Sequence, residues 1–144
     1  GPEACFPYKP IGGNQECTEV IQKQCLKTAA KIETYHTLTD ANAMKSWLAA
    51  KGTLIAVFDV YLDLYLYRSG VYHRHHWAPE LGKHCVQCVG FDDRKQAWLC
   101  KNSWSHLWGD AGFFWIGYGE CGIGTGEDYN NMWAIDGVRP PGEN

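Results

Sequence analysis

The sequence carries little that would hold a nucleic acid or a bilayer. Thirteen Lys and Arg stand against sixteen Asp and Glu, a formal net charge of −3. Without a basic excess there is no field to hold a phosphate backbone, so generic nucleic-acid binding is excluded. The longest aliphatic run, Leu54 to Phe58, stops at Asp59. That is far short of the ~20 apolar residues a spanning helix needs, so no membrane segment is expected. The start, Gly1-Pro2-Glu3, lacks a basic and apolar leader and reads as a processed or cloning-derived beginning rather than a signal peptide. No internal repeat, low-complexity tract or linker interrupts the chain.

What is present points to one globular domain. The 144 residues are 45% hydrophobic and 20% charged, enough to bury a core and far from a disordered composition. Seven Trp and eight Tyr make a heavy aromatic load. Seven Cys is above cytosolic usage and favours an oxidising compartment (secreted, periplasmic or lysosomal in type) with at least two disulfides. The count is odd, so at least one thiol stays free.

Residues 1–30 read as an irregular arm, punctuated by Cys5, Pro7, Pro10, Gly12-Gly13, Cys17 and Cys25. Residues 31–144 read as the folded body. Ile32, Thr34, His36 and Leu38 alternate on one face of a strand. Thr39-Asp40 then caps a helix from about Ala41 to Ala50, with Met44, Trp47 and Leu48 on its inner face and Gly52 at its end. From Thr53 the chain is β-rich, with strands expected over 53–60, 71–72, 83–91, 97–103, 112–118 and 132–138. Residues 59–67 suit either strand or helix. The fold class is α+β, an antiparallel half-barrel with one or two short helices.

Asp92-Asp93-Arg94-Lys95-Gln96 reads as a hairpin turn. With its centre near Asp93, paired residue numbers sum to about 186. That sets His84 opposite Asn102, where an amide reaches an imidazole, with Trp104 next on the same face. A His oriented by an Asn under an indole is the base and orienter of a nucleophilic triad. A hairpin of this length also sets a His against a polar residue by chance, so the pairing alone is a weak signal.

The residues around it carry a resemblance. Gly82-Lys83-His84-Cys85-Val86, Trp98-Leu99-Cys100-Lys101-Asn102-Ser103-Trp104, Trp108-Gly109-Asp110-Ala111-Gly112-Phe113 and Gly119-Glu120-Cys121-Gly122-Ile123 resemble the C-terminal half of papain-family cysteine proteases. Ser105 stands where that family usually has Gly. Leu66-Tyr67-Arg68-Ser69-Gly70-Val71 resembles the stretch before the family's catalytic His, and Ala4-Cys5-Phe6-Pro7-Tyr8 its Cys-Tyr-Pro-Tyr motif.

The resemblance implies the β-rich lobe of a thiol peptidase. His84 would pair with a thiolate and then protonate the leaving amine, Asn102 would orient the imidazole, Trp104 would cover their bond, and Trp108 would line the cleft. Lys83 and Cys85, which flank the base, are the remaining site-supporting candidates, although Cys85 points to the opposite face. The family's nucleophile lies in a Gln-x-x-x-x-x-Cys-Trp context, and no Cys here precedes Trp. The nucleophile is therefore expected on an N-terminal lobe absent from this chain, which alone should be inactive. The implied partners are a peptide or protein substrate, that complementary lobe, and a second copy forming a dimer through the uncovered face. No cofactor is implied. A non-catalytic binding module using the old groove is the alternative.

His73, His75 and His76 with Glu80, Cys85 and Cys88 raise the question of a metal site. Cys85 and Cys88 face opposite sides of a strand, so a solvated polar loop is the expectation. The resemblance leaves Cys121 without its usual partner. Tyr61, Tyr65, Tyr67, Phe113 and Trp115 are expected in the core, Cys88 and Cys100 as small buried residues, and Trp77 as a loop contact.

Overall fold

A computed structural model describes residues 30–127 and 130–141. The expected arm, with Cys5, Cys17 and Cys25, lies outside the described residues apart from Ala30. The chain divides into two compact units, one of residues 36–134 and one of residues through Tyr35 with those from Ile135 onward.

Strands form in β-prone runs, the clearest of which alternates between core and solvent. They are β1 (Lys31–Leu38), β2 (Leu54–Tyr61), β3 (Val71–Tyr72), β4 (Glu80–Asp92), β5 (Ala97–Lys101), β6 (Phe113–Gly117) and β7 (Met132–Arg139). The helix α1 spans Ala41–Ala50. Asp40 caps it by accepting the Ala43 N–H at 2.8 Å, and Met44 is its fully buried residue. The ambiguous stretch is a 3₁₀ turn, Leu62–Leu66.

In the larger unit the strands lie in the order β7-β2-β4-β5-β6-β3. The sheet is mainly antiparallel, as expected from sequence, with one two-residue parallel pair between β3 and β6. β2 shows the clean alternation of a half-buried strand, with Leu54, Ala56, Phe58 and Val60 inward. These pack with Met44, Leu64, Trp98, Phe114, Ile116, Ile123 and Met132 as one core. In the smaller unit, Arg139 Nη2 meets Glu33 Oε1 at 3.2 Å.

The β4–β5 register lies at the two-residue edge of the expected one, so His84 and Asn102 are diagonal rather than directly opposed. Cys88 faces Cys100 and Gln87 faces Lys101. Continued by one level, this puts Asn102 beside Val86, two residues along from His84. The turn takes four residues, 93–96, with Gln96 at φ 51°, and an irregularity between Cys88 and Gly90 adds a further offset. A slip of two residues preserves parity, so His84 and Asn102 still project to the same face.

Candidate active site

His84 lies on β4 on the inward face it shares with Val86 and Cys88. Its partner across β2 is Phe58, whose ring meets the imidazole edge-on at 5.9 Å between centroids. The chain leaves β5 at Lys101, and Asn102 is held at the turn-out by its N–H to the Gly112 carbonyl at 2.9 Å. Asn102 is 8% exposed. His84 Nε2 lies 2.9 Å from Asn102 Oδ1, a diagonal cross-strand contact rather than a direct one.

The direction of that hydrogen bond follows from a second one. Asn102 Oδ1 also accepts the Ser103 backbone N–H at 2.8 Å. A backbone N–H only donates, so the atom it meets is the amide oxygen. His84 Nε2 must then carry the proton it donates, which leaves Nδ1 as the nitrogen that gains or loses a proton. The pair thereby fixes a tautomer as well as a ring orientation.

Aromatic rings cover the pair. Trp104 stacks on His84 at 5.2 Å and 25°. Tyr65 lies flat on Trp104 at 4.4 Å and 3°. Trp108 meets Trp104 edge-on at 5.1 Å and is fixed from below by Tyr67 and Phe114. Beside the imidazole is a depression of about 150 Å³ lined by Val60, Tyr65, Leu81, Lys83, His84 and Trp104 among others. Asn102 Nδ2 and Trp108 Nε1 are buried donors with no acceptor among the described residues.

Of the residues singled out from sequence, His84, Asn102, Trp104 and Trp108 come together. Lys83 lines the same depression, but its ammonium is held by Asp59 Oδ1 at 2.7 Å and Asn130 Oδ1 at 3.3 Å. Cys85 does not join them, because it is exposed on the other face of β4. Sequence reasoning missed Tyr65 and Phe58. Tyr65 was expected in the core and is instead 50% exposed on the site. The signal available for it was the three-residue repeat of a 3₁₀ turn, which places Leu62 and Tyr65 on one outer side while Asp63 and Leu64 go inward.

The described thiols do not supply a nucleophile. Cys85, Cys88, Cys100 and Cys121 are all free, so no disulfide is seen among the described residues, and Cys5, Cys17 and Cys25 lie outside them. Burial raises the Cys85 thiol pKa, and burial with the adjoining Cys88 raises that of Cys100 well above the ordinary range. Burial, reinforced by the Glu120 carboxylate, pushes Cys121 up to about 12. Cys88 is fully buried. Three of the four thiols are thus shifted away from the thiolate that nucleophilic chemistry needs.

The His-rich loop contacts separate carboxylates instead of forming a cluster. His73 Nδ1 meets Glu120 Oε2 at 3.0 Å, and His75 Nδ1 meets the buried Asp63 Oδ2 at 2.9 Å. Among the described residues no three His, Cys, Asp or Glu are grouped as a metal would need. Trp77 is exposed and its ring lies 5.6 Å from that of His75. Among the described residues no helix is long and apolar enough to cross a membrane.

A family-wide sequence profile described as Papain family cysteine protease matches residues 2–130. The chain is 43% identical over 132 residues to Cathepsin B-like CP3 of Giardia intestinalis, covering 84% of this chain and 43% of that protein. It is 34% identical, with the same coverage, to Cathepsin B-like CP2 of the same organism. Among solved structures, proCathepsin B S9 from Trypanosoma congolense superposes with a TM-score of 0.66 at 26% identity, covering 96% of this chain and 47% of that one. The chain thus spans less than half the length of these relatives.

Proposed function

The chain belongs to the papain family of cysteine proteases, and from that premise we propose that it is the imidazole-bearing lobe of a thiol endopeptidase. His84 is the acid–base group, Asn102 holds its tautomer, and a cysteine on an N-terminal lobe that these residues do not include is the nucleophile. The observation that carries this reading is the directed His84 Nε2–H to Asn102 Oδ1 bond under Trp104. It leaves Nδ1 free to pair with a thiol from outside the chain.

In the proposed reaction the thiolate attacks the scissile carbonyl while His84 is imidazolium. Nδ1–H then passes its proton to the leaving amine and is left as the base that activates water for deacylation. Asn102, being neutral, fixes the ring without drawing off its charge. Trp104 keeps water from competing for the Nε2–H, and a low local dielectric strengthens the bond it covers. Trp108 supports Trp104 at the cleft edge, and Lys83, beside the depression, would meet substrate once its ties to Asp59 and Asn130 are accommodated. The substrates are peptides or proteins.

The apolar groups near the site fit the same reading. Tyr65 and Leu81, each about half exposed, border the depression beside His84, and a covering lobe would remove them from water. In a sample of these residues alone, a second copy can cover them, giving a dimer. The compartment we propose is secreted, periplasmic or lysosomal in type, a reading supported by the chain's similarity to cathepsin B-like proteases.

The test is complementation. This chain is mixed with a separately produced papain-family N-terminal lobe, and hydrolysis of a fluorogenic peptide amide is followed. Activity should appear only in the mixture and fall by roughly 10²–10⁴ with His84→Ala relative to the unaltered pair. Equal activity with and without the imidazole would overturn the assignment.

A further inference from the structure

Tyr65 occupies a place that neither the core nor the hydrogen-bond network explains. Half of it stays in water, yet its ring is almost coplanar with the Trp104 indole at 4.4 Å. Trp104 in turn stacks on His84, so the three rings form one connected stack.

The indole needs such support. Trp104 follows Asn102 and Ser103 where the chain has left β5, and the next residue, Ser105, has φ 129°. No strand ladder therefore sets the indole's position. Its position is set by ring contacts with His84, Trp108 and Tyr65. Trp108 is itself anchored, its carbonyl accepting the Gly112 N–H at 2.8 Å and its ring packed on Phe114. Tyr65 is anchored as well, because it stands on the 3₁₀ turn whose neighbour Asp63 is buried and accepts the Tyr72 hydroxyl and the His75 N–H, each at 2.7 Å.

We propose that Tyr65 is a positioning residue for the His84–Asn102 pair, acting through Trp104 by holding the indole over the Nε2–H···Oδ1 bond and closing it to water. Its catalytic meaning rests on the reading of His84 given above, but its test needs only this chain. The ring is the working part, since aromatic pairs gain from stacking beyond the area they bury. Tyr65→Phe should therefore keep the effect, Tyr65→Ala should lose it, and Tyr65→Leu, which keeps apolar bulk without a flat face, should lose most of it.

The experiment is nitrogen-15 NMR of the chain, reading exchange of the His84 Nε2–H with water alongside exchange of the Cys88 and Cys100 backbone amides. Expected is at least tenfold faster exchange at Nε2–H in Tyr65→Ala and at least threefold in Tyr65→Leu. Tyr65→Phe should stay within twofold of the parent, and the strand amides should be unchanged in every variant that folds. Tyr65→Leu decides the matter if Tyr65→Ala does not fold. The proposal is overturned if the Nε2–H is unprotected in the parent chain, if Ala and Leu leave it unchanged, or if the strand amides accelerate in parallel, which would mark general loosening. A failed complementation with these NMR results intact would count against the proposed function and not against this role.

Discussion

Ser105 holds φ at 129°, a region that suits glycine and strains any residue with a Cβ. The strain of such a position is about 1–3 kcal/mol. Against its relief stand roughly 0.5–1 kcal/mol of extra unfolded-state freedom for glycine and the bond from the Leu107 N–H to Ser105 Oγ at 3.1 Å, which is exposed and weak. The strain term is the largest, so Ser105→Gly should raise stability by about 1 kcal/mol or less, seen as a higher denaturant midpoint with an unchanged slope. A lower midpoint would show that the Oγ bond outweighs the strain. At this scale His84 and Asn102 were legible because strand parity survives a register error of two. Tyr65 was not, because an aromatic residue in a β-rich stretch reads as core until the backbone shows a 3₁₀ turn.

The elements that place His84 are β4, the hairpin that follows it, and the loop that precedes it. That loop is tied to the 3₁₀ turn through Asp63, which accepts the Tyr72 hydroxyl, the His75 N–H and the His75 imidazole. Burial pushes this carboxyl up, but the three hydrogen bonds outweigh it and hold the group below the usual carboxylate range. A depressed folded pKa stabilises the fold above the unfolded value, about 3.9, and that stability is lost as pH falls through the folded value. Urea unfolding should therefore show an acid-side loss of stability below about pH 4. Asp63→Asn should flatten that limb and lower neutral-pH stability by about 1–3 kcal/mol. An unchanged acid limb in the variant would remove Asp63 from the account. The strands and α1 were legible from alternation and capping. The exact hairpin register was not, because Gln96 gives no left-handed turn signal and Gly90 alone does not fix the size of the offset. The parallel β3–β6 pairing involves two residues on each side, too few to carry a pattern.

At the scale of the whole molecule, the fold was legible because the Asn102-Ser103-Trp104 block and the strands around it resemble one family throughout. Composition alone would have given a β-rich domain without a chemistry, and the four described thiols of the seven are free. The central claim is that the His84 imidazole activates a thiol on a lobe outside these residues. The most direct measurement is the pH dependence of iodoacetamide alkylation of the added lobe's cysteine, identified by peptide mass so that Cys85 does not interfere. With the parent chain present, the account predicts fast alkylation that persists well below the ordinary thiol pKa of about 8.5, reverting to an ordinary thiol profile with His84→Ala. An ordinary profile in both mixtures would contradict it.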